Sequence, residues 1–143
     1  LTHALFVQTF PYLICLVLID AVWTYRDYTL IAINFLASLS GQLAQQVRDF
    51  AIDSRTDSNF TTTVGYERSL VCLRTITAAV VILTGVSVFN GIIPPLFAPL
   101  VIAPLPIMTH RLFGNGGSMS PKVIYLSTMT ALLYTGFLLL QSL

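Results

Sequence analysis

Residues 70–109, LVCLRTITAAVVILTGVSVFNGIIPPLFAPLVIAPLPIMT, run for 40 positions with one charge, Arg74. About 20 apolar residues carry a helix across a hydrocarbon core ~30 Å thick, so the run is too long for one crossing and right for two. Gly91, Pro94 and Pro95 divide it, because a proline pair cannot continue a helix. Its first half reads as a conventional membrane helix. The second half carries Pro99, Pro104 and Pro106 as well, and their freed carbonyls are poorly tolerated by lipid. That half is expected to be a kinked span shielded by protein, or a re-entrant segment.

The flanks continue the pattern. Residues 48–69 hold Arg48, Asp49, Asp53, Arg55, Asp57, Glu67 and Arg68, more than half of the chain's charges, and are expected to form the one sizeable extramembrane loop. Residues 28–47 are uncharged, as are residues 1–19 and 123–143. Spans are therefore expected over 4–24, 29–47, 70–90, 93–109 and 123–143. With five crossings, Arg48, Arg55, Arg68, Arg111 and Lys122 share one side and Arg26 alone takes the other. If 93–109 does not cross, the split is even. The positive-inside rule favours the lopsided arrangement, with the N-terminus on the positive side. Trp23, Tyr25 and Tyr28 then mark one interface, and Tyr66 and Tyr125 the other.

The expected fold is an all-α integral membrane protein, one bundle of about five transmembrane helices with a proline-rich broken fourth segment. Composition agrees. Hydrophobic residues make up 55% of the 143, charged ones 9%, and the mean hydropathy is +0.81. A soluble domain carries about 25% charged residues. A net charge of +1 offers no basic patch, so nucleic acid is not an expected partner.

Polar residues inside the spans are the candidate functional groups. Asn34, Ser38, Gly41, Gln42 and Gln45 fall on one face of the second span. Small and amide side chains on one stripe let helices approach and hydrogen-bond. The same stripe would also line a wet path, but no charge lies on it, which favours packing. Arg74, one turn inside the third span, is a candidate intramembrane charge that would snorkel towards Glu67 or join an inter-subunit ion pair. Asp20 sits at the far end of the first span and cannot reach Arg74 within one chain in this topology.

Reactive constellations are not evident. His3 and His110 have no ligand-spaced carboxylate or cysteine, and Cys15 and Cys72 lie in apolar stretches. No catalytic, cofactor or metal site is expected, and the chain is not expected to be an enzyme by itself. The sequon at Asn59-Phe60-Thr61 falls on the positive side, where glycosylation does not occur. The glycine-rich stretch 114–118 leads through Ser120-Pro121 into a span and reads as an interfacial turn.

The stretch Arg111-Leu-Phe-Gly-Asn115 resembles the R-L-F-G-N element of ATP synthase subunit a, whose arginine faces the proton-carrying rotor ring. The likeness covers about five of 143 residues. In that family the arginine lies inside a long membrane helix followed by another, whereas Arg111 is read here as part of a Gly-Ser-Pro loop. No residue role is carried over.

These features lead to an accessory subunit of a large hetero-oligomeric membrane complex, whose partners are other membrane subunits and lipids. The chain opens on Leu1 rather than Met, from a cleaved presequence or a truncated start. Organelle import then points to the mitochondrial inner membrane (a respiratory complex or ATP synthase), with a thylakoid complex as second choice. The alternative is a small oligomeric channel or transporter using the polar stripe.

Overall fold

The computed structural model describes residues 9–18 and 22–141, and no strand occurs among them. The elements are α1 (Phe10–Leu18), α2 (Tyr25–Thr56), α3 (Phe60–Val64), α4 (Tyr66–Phe89), a 3-10 turn (Pro95–Phe97), α5 (Ala98–Ile102), α6 (Leu105–Phe113) and α7 (Pro121–Gln141). Helices α4 and α7 are long and apolar enough to cross a membrane. The turn with α5, taken together with α6, forms a third apolar unit bent by 47° at the Ala103–Pro104 break. Four prolines, Pro95, Pro99, Pro104 and Pro106, sit at the first turns of these short helices, where their missing N–H groups cost no helical bond.

The expected loop 48–69 is mostly helical. Helix α2 runs unbroken from Tyr25 to Thr56, then Asp57–Asn59 turn the chain into α3, and α4 begins at Tyr66. Charge loss marks the edge of an apolar environment and does not end a helix. Arg48, Asp53 and Arg55 simply continue α2 on exposed or half-buried faces, and Arg55 in the last turn complements the helix dipole. Asn59 ends the break. Its side chain accepts from the Thr62 N–H at 3.0 Å while its own N–H donates to Thr62 Oγ1 at 2.8 Å, a capping box. Its amide also donates to Asp53 at 2.8 Å, so the sequon asparagine is fully engaged.

The expected span at 29–47 is thus the middle of a 32-residue helix, and its amides and serines leave it short of the apolarity of α4 and α7. Of the expected first span, α1 covers nine residues and Val22–Thr24 are not helical. His3 and Asp20 lie outside the described residues.

Helices α2 and α4 pack antiparallel. Leu43, Val47, Leu70 and Leu73 form the buried cluster between them, flanked by Ala44, Tyr66, Cys72 and Ile76. One turn deeper, the Ser40 and Thr77 hydroxyls meet at 2.7 Å with both side chains fully buried. Thr77 donates to the Leu73 carbonyl at 2.7 Å, which leaves Ser40 as donor to Thr77. Helix α6 lies against α4, and α7 against α5 and α6. Only 6% of the most apolar stretch of α7 is buried.

Candidate functional site

Two contacts hold the chain between α6 and α7 against α4. Arg74 donates through Nη2 to the Gly114 carbonyl at 3.1 Å, and the Tyr66 hydroxyl donates to the Asn115 carbonyl. Arg74 therefore turns towards α6 rather than along α4 to Glu67, and its Nε is buried without a partner. Gly116 allows this docking. It has φ +73°, and a Cβ there would lie 2.6 Å from the Tyr66 hydroxyl and 2.7 Å from Val47 Cγ1. Gly114 is similarly confined, since a Cβ would sit 2.4 Å from the His110 carbonyl.

The docked turn fixes the end of α6. Arg111 lies in the last turn of that helix rather than in a loop. Its half-buried side chain crosses to α2, where Nη1 donates to Ser40 Oγ at 3.2 Å. Ser40 in turn donates to Thr77, so one hydrogen-bonded chain joins α6, α2 and α4. The guanidinium also lies beside Gly41, at 3.5 Å from where a Cβ would stand.

Arg111 is thus brought onto the polar stripe of α2, which sequence reading treats as uncharged. Two cavities meet at this residue. The deeper, about 340 Å³, is lined by Ser38, Gly41, Gln42 and Gln45 of α2 and by Pro104 and Ile107 of the α6 side. The outer, about 250 Å³, shares Gly41, Gln45 and Arg111 and extends to Arg48, His110 and Ser118. Gly41, Gln45, Ile107 and Arg111 line both. Ser38 is buried, Gln42 is half-buried with an unpartnered Nε2, and Gln45 is exposed. Asn34 is exposed on α2 beyond these cavities.

Two arginines, amides and hydroxyls around an open cleft can bind or pass an anion and repel a cation. Among the described residues no hydrogen bond joins His110 to the Ser118 hydroxyl that lines the same cavity. Among the described residues no three His, Cys, Asp or Glu side chains cluster to hold a metal. Arg48, at the outer end, is paired with its neighbour Asp49 at 2.8 Å, and this is the one ion pair seen among the described residues. The hydrogen bond from Arg48 holds the Asp49 carboxyl below the usual carboxylate range. Arg111 has no such carboxylate.

The convergence of Arg111 on Ser40 spans 71 positions of sequence. Nothing in the local pattern around either residue announces it. Comparison with known protein families, with curated proteins and with solved structures returns no match to this chain.

Proposed function

We propose that this chain is an integral membrane subunit, with about five crossings, of a hetero-oligomeric complex of the mitochondrial inner membrane, acting through helix packing and contacts with subunits and lipids. The carrying observation is the part of the α2 polar face that α6 leaves uncovered. Asn34 and Gln45 are exposed, and an amide facing lipid is left without the partners water would give it. A neighbouring polar helix from another subunit supplies those partners. The break between α5 and α6 also needs protein cover, because Pro104 and Pro106 offer no N–H to the end carbonyls of α5.

The complex proposed is a respiratory complex or ATP synthase. Gentle solubilisation and sizing of the native particle test the proposal. Fixed-stoichiometry co-purification with unlike membrane subunits is expected. Purification as a homo-oligomer alone would overturn it, as would release from membranes by alkaline carbonate.

One observation favours a second reading, a small oligomeric channel or transporter. The two cavities that meet at Arg111 form a polar cleft along α2 with a cation at its waist. An anion flux into liposomes carrying the purified chain, lost in Arg111→Ala, would support this reading over the first.

A further inference from the structure

Beyond Glu67 the chain has no Asp or Glu, yet it carries Arg68, Arg74, Arg111 and Lys122. At the α6–α7 end stand Arg111, Lys122 and Arg74, which donates to the Gly114 carbonyl, with no acid in the sequence from residue 68 onward. On the side of α6 turned away from Ser40, a groove of about 830 Å³ runs between α6 and α7. Its walls are Ile102, Leu105, Pro106, Phe113, Met119 and Val123, and its polar groups, Thr109, His110 and Ser120, stand towards the α6–α7 turn. Thr109 is spent on the Leu105 carbonyl at 2.8 Å. That leaves the His110 imidazole and the Ser120 hydroxyl free to face an occupant.

The groove does not stop at α6. Ile102 and Pro106 also line a second apolar cavity of about 320 Å³, which continues between α5 and α7 past Ala103, Leu126 and Ser127. The combined shape is long and mostly apolar, with His110 and Ser120 at one end and Ser127 and Thr130 further along. Lys122, exposed on the first turn of α7 between the lining Ser120 and Val123, is outside the groove wall, and its long flexible stem is what would bring the ammonium to the polar end.

We propose that an anionic phospholipid occupies this groove, its phosphate held at the α6–α7 turn by His110, Ser120 and Lys122 and its acyl chain laid between α6 and α7. Charge complementarity selects the headgroup, since the local residues offer donors and a cation but no acceptor anion. Basic pockets between membrane helices hold acidic headgroups for this reason, each Lys or Arg near the surface being worth about 1 kcal/mol, or roughly fivefold in affinity. The apolar extension selects a lipid over a soluble phosphate. A phosphate group alone would leave the groove below it unfilled.

The inference rests on the membrane reading, whose own failure is read separately by alkaline extraction. The test is native mass spectrometry of the full chain in detergent micelles, offered phosphatidylglycerol or phosphatidylcholine of matched acyl chains. Phosphatidylglycerol is expected to be retained at least about fivefold better. Lys122→Gln, on an exposed turn where folding is unaffected, is expected to bring the two lipids close to parity, while Arg68→Gln leaves the preference intact. Val123→Trp, which fills the groove, is expected to lower retention of both lipids. Equal retention of the two lipids by the unmodified chain would overturn the proposal. So would displacement of the lipid by millimolar glycerol phosphate, which would make this a soluble-anion site. Full retention in a folded Val123→Trp variant would place the lipid elsewhere.

Discussion

Helices α2 and α4 close on each other, whereas α7 leans on the molecule along one edge only. In the first pair, 22% of the most apolar stretch of α4 is buried, against 6% for α7. The pair carries an aliphatic cluster, a buried Ser40–Thr77 bridge and a capped connection through Asn59 and Gly65. Among the described residues, helix α7 shows Ser127 as its one buried residue and one long-range side-chain bond, from the Tyr134 hydroxyl to the Leu96 carbonyl at 2.7 Å. The α2–α4 pair is thus specified from within the chain, whereas α7 has few ties to the rest of the described residues. An apolar helix surrounded by apolar solvent gains little from burial, so its position depends on packing shape and a few polar ties.

The sharpest way to break that contrast is to delete matched leucines. Leu73→Ala, at a side chain 2% exposed in the α2–α4 cluster, is expected to cost about 3 kcal/mol. Leu133→Ala, at a side chain 73% exposed on α7, is expected to stay within about 0.5 kcal/mol in the isolated protein. Unfolding in mixed micelles measures both, and similar losses would end the distinction. Next comes Gly116→Ala, expected to cost about 2 kcal/mol because a methyl must displace Tyr66 or Val47 at a positive φ. Loss of the Tyr66–Asn115 contact, followed by tyrosine fluorescence, would report the same change locally.

Smaller effects sharpen the comparison. Thr77→Val keeps the shape but leaves Ser40 without its acceptor, and about 1 kcal/mol is expected from hydrogen bonds of this kind between membrane helices. The Arg111 contact with Ser40 should loosen with it, read as altered protection of Arg111 from guanidine-directed reagents. The smallest effect concerns pH. Asp49 has its carboxyl pKa lowered by Arg48, so the stabilisation it adds is present above the ordinary carboxylate pKa and fades as pH falls through the lowered value. Asp49→Asn should abolish that acid-side slope and change nothing near neutrality, in thermal melts across the acidic range.

The sequence made the apolar helices legible and left their meeting invisible. Helix α4 follows from an uncharged run after Arg74, and α7 from the final uncharged stretch, because both signals are local. The bend at Ala103–Pro104 follows from proline chemistry in the same way. The length of α2 does not, since charge reports the surroundings of a helix and not its end. The site lay further out of reach. The stripe Ser38, Gly41, Gln42 and Gln45 is readable as a face, but its cation arrives from α6 by way of the docked turn at Gly114–Gly116. Packing of that turn depends on a positive φ at one glycine, which local residue patterns do not encode distinctly from any other turn.

The unbroken α2 has a mechanical meaning. Its 32 residues make a rod of about 48 Å at 1.5 Å per residue, well beyond a hydrocarbon core of ~30 Å. Asp53, tied to Asn59 at the charged end, and Asn34, on the uncovered face, are parts of one rigid lever about 28 Å apart. A shift of the charged end therefore moves the amide face with it as one body, and Arg111 meets that body at Ser40, between the two.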